Sequence, residues 1–268
     1  LQLVASGRAE YGLVAAGGFG GGRGTLADCS MFTGGRWRPI APLSGPRAHA
    51  CSAIVEDEDG QPEMWVMGGY DGDDQLATVE AYNPRTNTWR SCLPLSQRRM
   101  GAVAGVVGGR LVVAGGSGGA GGHLTSVEAY TPTGWTPLPP LPHAATAATA
   151  CVLNGRLYVM GGVNCNKLQV LEMSEENGFS WTVKADLPAA RSQAASVAVD
   201  GKVWLMGGRT NFTPLSTVII YDIATDTWAA GPELPRRMAS CRAAVHDGKL
   251  HLTDQDGVYS HDNAGWVG

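Results

Sequence analysis

Six cysteines, six histidines and seven tyrosines are the obvious reactive side chains of this 268-residue sequence. Cys29, Cys51, Cys92, Cys151, Cys165 and Cys241 are scattered, and no C-x-x-C pair exists to complete a zinc set. His246 and His251 are predicted to share one hairpin, His49 lies near a strand, and the other histidines fall in loops. No metal site and no cofactor is expected. Cys165 sits in a loop where redox chemistry is conceivable, but no cationic neighbour is evident to lower its thiol pKa, so a bland reading is favoured. For acid–base chemistry the loops offer Glu233, His143 and His123, a thin set with no linked pair. Arginine is the more regular candidate. Arg47, Arg99, Arg191 and Arg237 recur along the chain, and a ring of guanidinium groups would grip carboxylates or phosphates.

What positions those arginines is a repeat. Glycine pairs close apolar runs at Gly17-Gly18, Gly68-Gly69, Gly115-Gly116, Gly161-Gly162 and Gly207-Gly208, with first-glycine spacings of 51, 47, 46 and 46 residues. Trp37, Trp89, Trp135, Trp181 and Trp228 follow them at spacings of 52, 46, 46 and 47. Two markers in one period signify an array of supersecondary units. Each unit reads as four short strands. In the fifth, Ala194 to Val199 is followed by the tight turn Asp200-Gly201, then Val203 to Met206, Val218 to Asp222, and a strand carrying Trp228. A sixth, decayed unit has Thr253-Asp254 in place of the glycines and ends on Trp266. Within this frame Arg99, Arg191 and Arg237 each stand 16 residues before the first-glycine position. Arg47 stands 21 before, the excess matching an acidic hairpin insertion at Glu56 to Glu63. Ala145 and Leu1 take the place in units four and one.

The double glycine after an apolar strand, a tyrosine (Tyr82, Tyr130, Tyr221, Tyr259) and the phased tryptophan resemble the kelch motif over essentially the whole chain. The resemblance implies an all-β, six-bladed kelch β-propeller with four antiparallel strands per blade around a central channel. It implies a single domain, 1–268, with blades at about 1–42, 43–94, 95–141, 142–187, 188–234 and 235–268. Small first-strand residues such as Gly101 to Ala104 suit a crowded axis. Both termini are expected to complete their own blades, so closure rests on packing between units one and six, the weakest seam.

The resemblance is closest to BTB–kelch ubiquitin-ligase adaptors. In such proteins the loops joining strands two and three, and four and one, hold partners. The residues expected on that face are Arg47, Tyr70, Arg99, Asn164, Arg191, Arg209, Asn211, Phe212 and Arg237, together with Phe19, Asp71 and Ser117. The implied function is recognition of an acidic or phosphorylated, degron-like peptide. Cullin binding would belong to domains outside this chain, and no catalytic residue is assigned. The alternatives are an actin-binding or scaffold kelch protein, or a propeller enzyme such as a sugar mutarotase. A copper radical oxidase of the same fold would need tyrosines that are here committed to strands.

Composition narrows the partner. Net charge is -4, so the basic excess that nucleic-acid binding requires is missing. No apolar run is long enough to span a membrane, and no signal peptide is evident. Scattered cysteines in a chain with 44% hydrophobic residues suit reduced thiols, hence the cytoplasm or nucleus. The chain opens on Leu1 rather than methionine, as a domain excised from a longer protein would.

Overall fold

The computed structural model describes residues 3–5, 12–20, 22, 24–119, 122–246, 248–254, 258–262 and 265–267. They form six four-stranded antiparallel sheets, each contiguous in sequence, arranged as a six-bladed propeller. Blade one is Leu3–Ala5, Leu13–Phe19, Thr25–Thr33 and Arg36–Ile40, and blade six is Arg242–His246, Lys249–Thr253, Val258–Asp262 and Gly265–Val267. Each terminal strand pairs within its own blade. Among the described residues no strand is borrowed to lock the ring.

Alternation of side chains gives each sheet two faces, and each face packs on the next blade. Blades two and three enclose Trp65, Met67, Ala81, Leu95, Leu111 and Val113. Blades three and four enclose Val107, Val112, Leu141, Leu157 and Val159. At the seam between blades six and one, the described buried apolar residues are Leu13 and Ala244, with Phe32 and Trp37 packed against them. The outer tryptophans pin neighbours together. The indole N–H groups of Trp89, Trp135, Trp181 and Trp228 donate to the carbonyls of Ala41, Leu93, Pro139 and Ala185 in the preceding blade, at 2.8–3.0 Å.

The glycine pairs are docking points between blades. A side chain on Gly68 would lie 2.4 Å from the Arg99 carbonyl oxygen, and one on Gly161 would lie 2.2 Å from that of Arg191. The second glycine's N–H donates to the same carbonyl, as in Gly69 to Arg99 at 2.7 Å and Gly208 to Met238 at 2.8 Å. Only a residue without Cβ permits that approach with positive φ. The acidic run at 56–59 is the expected hairpin tip between Cys51–Glu56 and Pro62–Met67.

Candidate functional site

The mouth of the channel is framed by a chain of backbone hydrogen bonds. Gly101 N–H donates to His49, Ala147 to Gly101, Gln193 to Ala147 and Ser240 to Gln193, all at 2.8–2.9 Å. These five residues lie in blades two to six, and all have φ between 51° and 65°. Four of them are not glycine, so the mouth carries local strain that the ring of hydrogen bonds holds in place.

Two residues upstream of this ring stand the arginines expected to face a partner. Arg47, Arg99 and Arg191 are instead buried, with 3%, 1% and 9% exposure. Arg99 donates through Nη1 to the carbonyls of Gly115 and Ser126, and through Nε to Glu128 at 2.8 Å. Arg47 makes the same set with Gly68, Thr78 and Glu80, the last at 2.7 Å. The backbone of each arginine docks on the preceding blade while its guanidinium is spent on the blade it enters. The second oxygen of Glu80 and Glu128 accepts the N–H of Ser44 and Ser96. Arg191 binds the carbonyls of Gly207 and Thr217 and the Thr217 hydroxyl, with no carboxylate. Burial holds the Arg47 and Arg191 guanidinium groups below their usual basicity. These three are inter-blade braces, and the expectation of a ligand-facing ring fails for them.

Blade four replaces the pair with Ala145 and Gln169, whose amide keeps the backbone bonds through His143 N–H and C=O. In blade six the equivalent of Arg99 is Met238, not Arg237. Its N–H and C=O make the repeated bonds to Leu215 and Gly208. The sequence alignment slipped by one because Thr253 pairs where Met67 and Ala114 do, so Asp254 holds the first-glycine position. Arg237 is exposed and makes no ion pair among the described residues. Its neighbour Arg236 reaches Asp254 at 2.5 Å and the Tyr259 hydroxyl at 2.9 Å.

The groups left open on this face are apolar or polar knobs. Phe212 is 88% exposed at the tip of a ribbon, Arg209–Thr210 with Thr213–Pro214. Asn211 and Phe212 form its turn with φ of 46° and 64°. Arg209 below it is half-buried, and its Nε is buried without a hydrogen-bond partner. Asn164 is exposed with a φ of 54°, next to exposed Val163. Cys165 is half-buried beside them. Across the mouth, Phe19, His49, Tyr70, Gln75, Arg98 and Met100 line a cleft of about 410 Å³. The Tyr70 hydroxyl is tied to the Gly72 carbonyl, and Arg98 pairs with Asp74 at 3.2 Å. Burial holds the His49 imidazole below its ordinary range, and Arg242 and Arg209 push the same way. Sequence reasoning missed Arg242, which enters the channel from blade six. The signal was present: Arg242 interrupts a register position that is small or neutral in the other blades. Among the described residues no group of three His, Cys, Asp or Glu could hold a metal ion. No hydrogen bond joins any two of Glu233, His143 and His123 among the described residues; His123 bonds Thr146 instead.

A family model described as the Kelch motif matches residues 61–95, 98–142 and 190–235. Kelch-like protein 33 of Homo sapiens is 35% identical over 96 residues, 36% of this chain and 17% of that protein. F-box protein AFR of Arabidopsis thaliana is 34% identical over 112 residues, 38% of this chain and 28% of that protein. These matches therefore span a minor part of each relative's length. Among solved structures, one described as the structure of YjhT superimposes with a TM-score of 0.77 at 14% identity, covering 95% of this chain and 93% of that one. That likeness concerns the fold.

Proposed function

We propose that the chain, a six-bladed propeller similar over part of its length to kelch-like proteins, is a kelch-type protein-interaction module whose partner docks on the loop face around Phe212. The observation that carries this reading is the Asn211-Phe212 turn. A two-residue turn with positive φ at both positions is best served by Asn-Gly. Here the second place is taken by an aromatic residue, 88% exposed, whose strain is not repaid by burial. Rigid exposed aromatics are common hot spots. Val163 and Asn164 extend the surface on the neighbouring blade four, and Phe19 of blade one stands exposed across the mouth.

The finer reading is a short acidic or phosphorylated peptide, recognised by a substrate adaptor of a cullin-RING ubiquitin ligase in the cytoplasm or nucleus. A related protein whose name combines kelch repeats with a BTB domain, and another named as an F-box protein, support it. Exposed Arg237 and half-buried Arg209 would supply the charge in place of the buried arginines. An actin-binding or scaffold role is the sibling alternative, separated by whether the whole protein carries a BTB domain. The catalytic alternative has less behind it, since the acid–base candidates make no mutual contact.

The test is Phe212→Gly. Relieving the turn should hold or raise the melting temperature, while peptides selected by display on the wild-type domain lose about tenfold or more in affinity. Selected peptides that bind Phe212→Gly as tightly as wild type would overturn the docking reading.

A further inference from the structure

The central channel is lined by the innermost strands and has a volume of about 350 Å³. Its described walls are small: Ala50, Ala102, Ala148, Ala195, Ala243 and their neighbours, with hydroxyls from Ser52, Thr149 and Ser196. One charged side chain stands among them, Arg242. Its register, opposite Thr253, is the place that Cys51, Val103, Thr149 and Ala195 hold opposite Met67, Ala114, Met160 and Met206. Blade six thus puts a long cation where blades two to five put a small or neutral group. It does so two residues below the strained ring at the mouth.

The contrast with the brace arginines is chemical. Arg47 and Arg99 are buried against Glu80 and Glu128. Arg242 donates through Nη1 to the neighbouring Cys241 carbonyl at 2.9 Å, and no carboxylate pairs with it among the described residues. Burial depresses its basicity. Holding a half-buried guanidinium that meets no carboxylate among the described residues costs free energy that an incoming anion would return. Its field also reaches His49, in concert with that of Arg209. The mouth therefore receives positive charge from two blades, five and six, in a chain whose net charge is -4. Thr149 and Ser196, hydrogen-bonded to each other at 2.8 Å, add hydroxyls to the same wall.

We propose that the central channel is a binding site for a compact oxyanion, a carboxylate or phosphate group seated on the Arg242 guanidinium. Two parallel N–H···O bonds suit either group. Entry is from the mouth ringed by His49, Gln193 and Ser240. The site needs no docked peptide and stands apart from the Phe212 surface.

Isothermal titration and thermal unfolding of the wild-type domain at fixed ionic strength test it. The probes are inorganic phosphate, glutarate and N-acetylglutamate methylamide, with chloride as reference. Saturable binding and a raised melting temperature are expected. Arg242→Met should weaken binding about tenfold or more while holding or raising the ligand-free melting temperature, and Arg242→Lys should keep part of it. Arg237→Met removes an equal charge from the exposed rim and should leave binding intact. Phosphate or glutarate binding marks a free anion as the occupant, and binding of the glutamate analogue alone marks an acidic side chain. The proposal falls if no probe stabilises the protein beyond chloride, or if Arg237→Met weakens binding as much as Arg242→Met. A domain that binds phosphate but selects no peptide keeps this site and loses the docking reading.

Discussion

Blades three and six enter the ring through the same corner and fill it with different chemistry. In blade three, Arg99 is 1% exposed and locked between Gly115, Ser126 and Glu128. In blade six the corner holds Met238, and a half-exposed Arg236 pairs with Asp254 from the adjoining position. The backbone is unchanged, since both residues accept the N–H of the second glycine of the preceding blade. What the repeat conserves within this molecule is therefore the carbonyl, while the side chain is negotiable. It is negotiable only in neutral sets. Arginine comes with glutamate in blades two and three, alanine with glutamine in blade four, and methionine with tyrosine in blade six, where Tyr259 falls in the register of Glu80 and Glu128. Blade five is the exception, with an apolar Ile219 in the glutamate register and Arg191 held by the Gly207 carbonyl and by the carbonyl and hydroxyl of Thr217.

The largest expected effect breaks this set at its tightest point. Arg99→Ala strands the Glu128 carboxylate, 2% exposed, and removes bonds to two carbonyls. It should cost about 3–5 kcal/mol, read from urea unfolding. A loss under about 1 kcal/mol would mean that the corner is wet and the neutral-set account is wrong. The same magnitude disqualifies Arg99→Ala as a probe of partner binding, because lost binding would report lost folding.

Next in size is a transplant. Gln169→Glu in blade four introduces a buried charge with no arginine to meet it, at a cost of about 2–4 kcal/mol. Adding Ala145→Arg rebuilds the arrangement of blade three and should recover at least half of that loss. A double variant no more stable than the single one would show that the Arg–Glu pair depends on the loop around it, here His143 in place of Ser96.

Most of the architecture was legible in the chain, because glycine pairs and tryptophans do structural work that tolerates few substitutes. A side chain at Gly68 would meet a carbonyl at 2.4 Å, so the marker persists in five of six units. The arginines were misjudged because spacing reports a place in the repeat and says nothing about burial. Their loop position was right, and their guanidinium groups turn inward to carbonyls that no sequence pattern displays. Arg237 was misplaced by one residue because the decayed unit offers Thr253-Asp254 with no glycine to set the phase. Of the candidate surface, Phe212 and Asn164 are exposed. The cost of the Phe212 turn emerges only from φ angles, whereas Arg242 was legible as a break in a column of small or neutral residues.

The smallest effect lies at the outer rim, where blades two and five again solve one problem with different charge. Asn87 Oδ1 accepts from Ala41 N–H and the Tyr82 hydroxyl at 2.9 and 3.0 Å. Asp226 Oδ1 accepts the same pair, from Ala185 N–H and the Tyr221 hydroxyl, both at 2.8 Å. The φ angles match at 53° and 54°. Those bonds, the Ala185 N–H first, hold the Asp226 carboxyl below its ordinary 3.8, and burial with the nearby carboxylate pushes the Tyr221 phenol up. A carboxyl with a lowered folded pKa stabilises the protein above its unfolded pKa, and that contribution is lost as pH falls through the folded value. The latch of blade five should therefore weaken below about pH 4, while that of blade two does not titrate. Asp226→Asn should cost well under 1 kcal/mol near neutrality, since Asp226 is largely solvent-screened, and should flatten this part of the acid limb of a melting-temperature profile. An equal offset between wild type and Asp226→Asn at about pH 7 and about pH 3 would mean that the lowered carboxyl contributes nothing to the latch. The two blades would then be alike in energy as well as in geometry.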